Sequence, residues 1–136
     1  MTADPFLDTN ILVYTFDRDA PDKAERAREL TSGTDWQISW QVIQEFSNVA
    51  IHRFKTPLKS EDLEAFLKLV LWPRCSVLPG QAIFTQALRI QKETQYRFYD
   101  SLIVASALNS GAGILYSEDL QHGRRIGDLR IENPFL

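Results

Sequence analysis

The chain has 136 residues, 44% hydrophobic and 24% charged, with a formal net charge of −3; this allows one domain with its own core and excludes a disordered chain. The acidic balance counts mildly against a nucleic-acid binder, a class that is usually basic. A lone cysteine, Cys75, excludes an internal disulfide framework and a cysteine-based zinc cluster, and suits a reducing compartment such as the cytoplasm. The opening MTADPFLDTN has no basic region followed by a long apolar run, so no signal peptide is expected. No apolar stretch approaches the ~20 residues of a membrane span.

In chain order, PFLDT reads as a first strand ending near Asp8, and NILVYTF as a helical turn or two. APDKAERARELT, rich in Ala, Glu, Arg and Leu behind an early proline, predicts a helix. WQIS predicts a second strand. From Trp40 to Phe54 the residues Val42, Ile43, Phe46, Val49, Ala50 and Phe54 share one face of an amphipathic helix. Ser60 is a candidate N-cap for a helix over 61–71, with acids in its first turn and Pro73 to stop it. CSVL predicts a third strand, with Cys75 in the core, and Gln81 to Thr94 a further helix. RFYDSLIVASAL then predicts a helix from about Asp100 to Asn109, closed at Ser110-Gly111. GILYS is a fourth strand and LRIE a short fifth. Strands alternating with helices imply an α/β fold with a central parallel sheet of four to five short strands flanked by helices.

In such sheets ligands bind beyond the carboxyl ends of the strands, which selects among the eighteen acids. Asp8 ends the first strand. Asp119 follows the fourth, with Glu118 an equal candidate beside it. Asp100 heads the helix before the fourth strand, and Ile103, Val104 and Ala107, at offsets of three, four and seven, turn it over the buried side. Glu45 stands about 40° from Val49 and about 60° from Val42 on the helical wheel, so it borders the apolar stripe. Each acid also has a plain reading: Asp8 and Asp100 as helix N-caps, Glu45 as a surface residue, Asp119 as a loop acid. Taken together the plain readings weaken, because clustered carboxylates repel unless a cation intervenes. Hard ions such as Mg²⁺ or Mn²⁺ prefer oxygen ligands and act on phosphate substrates.

The segments PFLDTNILVY, ISWQVIQEFSNVAIHR, YDSLIVASAL, GILYSEDLQHGRRI and the closing ENPF, in this order and nearly end to end, resemble the PIN domain, the metal-dependent ribonuclease fold of VapC-type toxins. The resemblance implies one such domain over 1–136 and an acidic metal site of Asp8, Glu45, Asp100 and Asp119, catalytic as well as metal-holding. Thr9, Asn10 and Ser117 would support the carboxylates. It further implies Mg²⁺ or Mn²⁺, one or two ions, RNA cleavage, homodimerisation and inhibition by a small antitoxin protein. Trp36, Trp40, Trp72 and several phenylalanines offer aromatic surface for a dimer. Where many relatives carry another acid after SEDLQ, this chain has His122, which leaves a fifth acidic contribution in doubt.

The corresponding function is an endoribonuclease in which metal-activated water attacks phosphorus in line. Arg97, Arg124 and Arg125 are candidate RNA-backbone contacts. Two alternatives stay open. One is a non-catalytic module whose acids bind a structural cation or a basic residue of a partner. The other is a phosphatase with Asp8 as nucleophile, against which Asn10 stands where a second aspartate is expected.

Overall fold

The computed structural model describes residues 3–136. They form six α-helices and six short strands: β1 Phe6–Leu7, α1 Thr9–Tyr14, α2 Pro21–Thr31, β2 Ile38–Ser39, α3 Trp40–His52, α4 Ser60–Phe66, β3 Cys75–Val77, α5 Gln81–Thr94, α6 Phe98–Asn109, β4 Ile114–Tyr116, β5 Arg125–Ile126 and β6 Leu129–Glu132. The main sheet runs β1-β4-β6-β5, and β2 and β3 make a separate parallel pair. A single parallel bridge, Phe6 to Gln37, ties that pair to β1. β1, β4 and β6 are parallel; β5 is antiparallel to β6.

The central parallel sheet flanked by helices is as expected, and β5 is its one antiparallel strand among the described residues. β5 belongs to a hairpin with a two-residue Gly127-Asp128 turn, Gly127 standing at φ +58 where a side chain would be strained. A Gly-Asp pair between Ile126 and Leu129 is itself a hairpin signal.

The core explains why so few strand residues suffice. Phe6, Leu7, Ile38, Leu115, Leu129 and Ile131 have no measurable exposure, as befits strands covered on both faces. α6 is buried along its whole middle, Ser101 through Ala107, so it is a central core helix without a solvent stripe. α3 has the expected stripe, with Val42, Ile43, Phe46 and Ala50 buried. Beside it Phe16, Phe46, Phe54 and Phe66 form an aromatic cluster with ring centroids 5.3–6.1 Å apart.

Several boundaries differ from expectation. α6 begins at Phe98 with Arg97 at its N-cap, so Asp100 lies in the first turn and does not cap the helix. The ring contact of Phe98 with Phe84, 5.9 Å between centroids, draws the earlier residues into the helix. Ser60 is the first helical residue of α4, with Lys59 at the N-cap and no side-chain cap bond. The helix expected to Leu71 widens after Phe66 into a π-helical turn, Leu67–Leu71, and then tightens to a 3₁₀ turn over Trp72–Arg74, where Pro73 ends the run. Cys75 is half-buried against the core. Trp36 is 3% exposed, its indole N–H bonded to Gly33 O, so it is core and is not available to an interface; Trp40 is half-buried and Trp72 exposed. No helix among the described residues is long and apolar enough to cross a membrane.

Candidate active site

β1 delivers Asp8 to the carboxyl edge of the sheet, where it caps α1: Thr9 N–H donates to Oδ1 at 2.7 Å. This is the capping reading of Asp8 and a placement for chemistry at once. Its second oxygen, Oδ2, accepts from Ser117 Oγ at 2.8 Å. Ser117 follows β4, the strand paired with β1, and its Oγ also accepts from Asp119 N–H at 3.2 Å. One buried hydroxyl thus holds both the first acid and the loop that carries the last.

The other supports arise from α1. Thr9 Oγ1 donates to Glu45 Oε1 at 2.9 Å, linking α1 to α3. Asn10 spans the site: Nδ2 donates to Asp119 Oδ2 at 3.1 Å while Oδ1 accepts from Glu118 N–H at 3.3 Å. Thr9 and Asn10 sit on adjacent residues and serve two different acids.

Glu118 and Asp119, indistinguishable in sequence, are separated by what surrounds them. The Glu118 carboxylate accepts from Tyr14 OH at 2.5 Å and pairs with Lys23 Nζ at 2.7 Å. Partial burial pushes the Glu118 carboxyl up, but these two bonds outweigh it and hold it below its ordinary range. Asp119 is exposed and, among the described residues, is bonded to the neutral groups of Asn10 and Ser117. Lys23 and Tyr14 lie far from residue 118 in the chain, and no local pattern points to them.

The remaining acids form an electrostatic unit. Burial pushes the Asp8 carboxyl up to about 7; the Ser117 and Thr9 bonds resist, and repulsion from Glu45 and Asp119 adds to the rise. Burial also raises Glu45, against the Thr9 bond and with repulsion from Asp100 and Asp119. Asp100 is raised by burial, opposed by the nearby Arg97 and reinforced by Asp119. Ion pairs among the described residues involve Glu118, Glu29, Asp19 and Glu132, and none reaches Asp8, Glu45, Asp100 or Asp119.

The donor set fits a hard divalent cation: oxygen only, several carboxylates mutually destabilised, no cationic side chain paired to them. The side chains are not gathered around a single point, however. Among the described residues no three Asp, Glu, His or Cys side chains form a ready metal-holding group. Each of three acids is turned instead onto a neutral partner: Asp8 onto Ser117, Glu45 onto Thr9, Asp119 onto Asn10.

Two depressions meet at Asp119. The smaller, about 490 Å³, is lined by Gln95, Tyr96, Arg97, Asp100 and Gln121 beside it. The larger, about 1180 Å³, includes Thr9, Asn10, Glu45 and the loop from Arg53 to Lys59. Of the candidate backbone contacts, Arg97 is in the smaller wall. Arg124 lies over the Tyr96 ring and donates to Gln121 Oε1 at 3.0 Å. Arg125 is exposed on β5 and lines neither depression. His122 is exposed, its Nδ1 accepting from Asn133 N–H at 3.0 Å.

The fold and the site define an α/β domain with an oxygen-only acidic cleft at the carboxyl edge of its sheet. The family model for the PIN domain matches residues 6–127, and the chain belongs to that family. Among solved structures, a toxin–antitoxin complex from Klebsiella pneumoniae is similar at 19% identity, covering 96% of this chain and 97% of that one, TM-score 0.68. A DNA-bound VapBC from Salmonella typhimurium is similar at 22% identity, with 97% and 98% covered and a TM-score of 0.65. Mycobacterium tuberculosis VapC20, a toxin that cleaves the sarcin–ricin loop, is similar at 16% identity, with 85% and 89% covered and a TM-score of 0.60. At these identities the likeness is one of fold. No curated protein matches the sequence.

Proposed function

We propose that this chain is a metal-dependent endoribonuclease, the toxin of a toxin–antitoxin pair, with residues 1–136 acting as one cytoplasmic domain. The observation that carries the reading is the group of acids around Asp8, held at the sheet edge by Ser117, Thr9 and Asn10, with no ion pair to any of them among the described residues. Membership of the PIN domain family supports hydrolysis of phosphodiester bonds. The RNA-cleaving neighbour and the neighbours solved as toxin–antitoxin complexes support an RNA substrate and an antitoxin partner. A homodimer is proposed with them.

Asp8 and Asp100 are the main candidates to hold Mg²⁺ or Mn²⁺, one or two ions, with Glu45 and Asp119 completing the site directly or through water. When bound, such an ion supplies Lewis acidity toward a phosphoryl oxygen and lowers the pKa of water. The chain's own contribution is orientation. Ser117 and Thr9 fix the two oxygens of Asp8, Thr9 Oγ1 aims Glu45, and Asn10 aims Asp119. Arg97, Arg124 and Arg125 are the candidate contacts for RNA phosphates. No histidine base is invoked; the Nδ1 lone pair of His122 is taken by Asn133.

The test is cleavage of a mixed pool of structured RNAs by purified protein freed of co-purifying partner, with Mn²⁺, Mg²⁺ or EDTA. Metal-dependent cutting is expected, with a loss in Asp100→Asn exceeding the 10–100-fold usual for removal of an outer partner. An unaffected rate in folded Asp100→Asn removes the role given to Asp100.

The second reading, a non-catalytic binding module, is favoured by one observation: the acids are turned onto neutral partners and not onto one point. Metal binding with no turnover on any RNA would support it. The phosphatase reading is weakened further, because both oxygens of Asp8 are engaged and the residue is only 6% exposed.

A further inference from the structure

We infer that the smaller cleft is a nucleobase subsite, where one base of single-stranded RNA lies against the Tyr96–Arg124 stack and meets the amides of Gln95 and Gln121. The inference rests on the ribonuclease reading and adds to it the place where the nucleotide beside the reacting phosphate is received.

The chemistry of the walls carries it. The cleft, about 490 Å³, is open to solvent and mainly polar, which suits one end of an extended strand and not an enclosed small molecule. It offers an aromatic ring, an arginine, the carboxylates of Asp100 and Asp119, and two primary amides, of which Gln95 keeps its oxygen as acceptor while its nitrogen bonds Lys92 O, and Gln121 keeps its nitrogen as donor while its oxygen is held by Arg124. A base in RNA is recognised by this combination: stacking on an aromatic or guanidinium plane, hydrogen bonds to the base edge, and a cation for the phosphate. The shared carboxylates make the cleft continuous with the proposed reaction centre.

The stack is prearranged. The Arg124 guanidinium stands 5.6 Å from the Tyr96 ring centroid and is tethered through its bond to Gln121. Tyr96 OH stands 3.5 Å from the same Gln121 oxygen. The backbone of Tyr96 is held in turn, its N–H donating to Thr94 Oγ1 at 3.1 Å. Gln95 ends α5 in the left-handed region at φ 65, so the connection to α6 takes only the residues 95–97, and all three line the cleft. A ring fixed before binding loses little freedom on stacking.

The experiment has two arms on the full chain. In Ca²⁺, short random-sequence single-stranded RNA containing 5-bromouridine is photocrosslinked and the adduct mapped by mass spectrometry. In Mg²⁺ or Mn²⁺, cleavage kinetics are compared for wild type, Tyr96→Phe, Tyr96→Ala, Arg124→Ala and Gln121→Ala. Expected are crosslinks within residues 95–97, and KM raised by roughly 5- to 100-fold in Tyr96→Ala with kcat little changed. Arg124→Ala should raise KM in the same way, Tyr96→Phe, which keeps the ring and loses the contact with Gln121, should raise it far less than Tyr96→Ala, and Gln121→Ala should alter the base found next to the cut. Should Tyr96→Ala fail to fold, Arg124→Ala, at a half-buried position, and the crosslink decide. Cutting with KM unchanged in Arg124→Ala and crosslinks confined elsewhere overturns the subsite and leaves the ribonuclease standing. Crosslinking at residues 95–97 without cutting of any RNA supports the subsite and removes the ribonuclease reading instead.

Discussion

Ser117 Oγ lies 2.8 Å from Asp8 Oδ2 and accepts from the backbone N–H of Asp119 at 3.2 Å, so a single hydroxyl without measurable exposure fixes two acids that lie on different strand ends. Ser117→Ala leaves Asp8 with Thr9 N–H as its remaining partner and strips an acceptor from Asp119. The Ser117 bond is what most lowers the Asp8 carboxyl, so its removal drives that carboxyl further up. We expect a stability loss of about 1–3 kcal/mol, the cost of unpaired buried polar groups, and weaker Mn²⁺ binding at neutral pH. Urea unfolding and Mn²⁺ titration followed by electron paramagnetic resonance check the two effects separately.

The pH dependence of the metal-free protein follows from Asp8. Its folded value of about 7 lies above the ordinary 3.8. Between those values the folded chain keeps a proton that the unfolded chain gives up. The contribution is therefore fully present at acid pH, below about 3.8, and is lost as pH rises through about 7. The gap converts to roughly 4 kcal/mol. Urea unfolding in EDTA should show stability falling across this range. Asp8→Asn should flatten the curve, and Mn²⁺ above neutrality should restore stability by replacing the proton. A flat wild-type curve would count against the coupling.

Glu45 is aimed by Thr9 Oγ1 at 2.9 Å. Thr9→Val preserves shape and removes the hydroxyl. If Glu45 completes the metal site, activity should fall by about 10–100-fold, the range for loss of a partner that orients a ligand. Thr9→Ser, which keeps the hydroxyl, should recover most of it. Equal loss in both variants would assign the effect to packing.

Tyr14 separates structure from chemistry. Its hydroxyl bonds the carboxylate of Glu118, while its ring meets Phe135 edge-on with centroids 5.0 Å apart. Tyr14→Phe keeps the ring contact and loses a bond to a charged acceptor, at a cost of about 1.5–3 kcal/mol. Metal dependence should persist, because Glu118 is committed to Lys23 and is not among the acids left unpaired. A change in metal stoichiometry would reverse the assignment of Glu118 and Asp119.

Phe46, without measurable exposure, joins the rings of Phe16, Phe54 and Phe66. Phe46→Ala should cost about 3–5 kcal/mol in thermal or chemical unfolding. Glu45, next to it on α3, should lose its aim as α3 loosens, so activity should fall with stability.

Much of this was legible in the chain because it depends on local pattern. Alternating strands and helices, the bounds of α5, the apolar stripe of α3 with Glu45 at its border, and Asp8 between a buried strand and a helix start all follow from nearest-neighbour chemistry. What local pattern could not supply was any choice that depends on a distant partner. Asp100 moved from cap to first turn because Phe98 meets Phe84. Trp36 went into the core, with the Arg74 guanidinium 5.6 Å from its ring, and is not surface aromatic area. Glu118 and Asp119 differ only because Lys23 and Tyr14 claim one of them.

The sequence by itself determined which elements form, that Asp8 and Asp119 follow strands, and the family the segments resemble. Tertiary structure alone decided which oxygen each hydroxyl and amide holds, that β5 runs against its neighbour, and that Arg124 lies over the Tyr96 ring and bonds Gln121. The reason is range. Periodicity and capping act over a few residues, whereas the bonds from Ser117 to Asp8, from Asn10 to Asp119 and from Tyr14 to Glu118 join residues more than a hundred positions apart, and only closing the sheet brings them within reach.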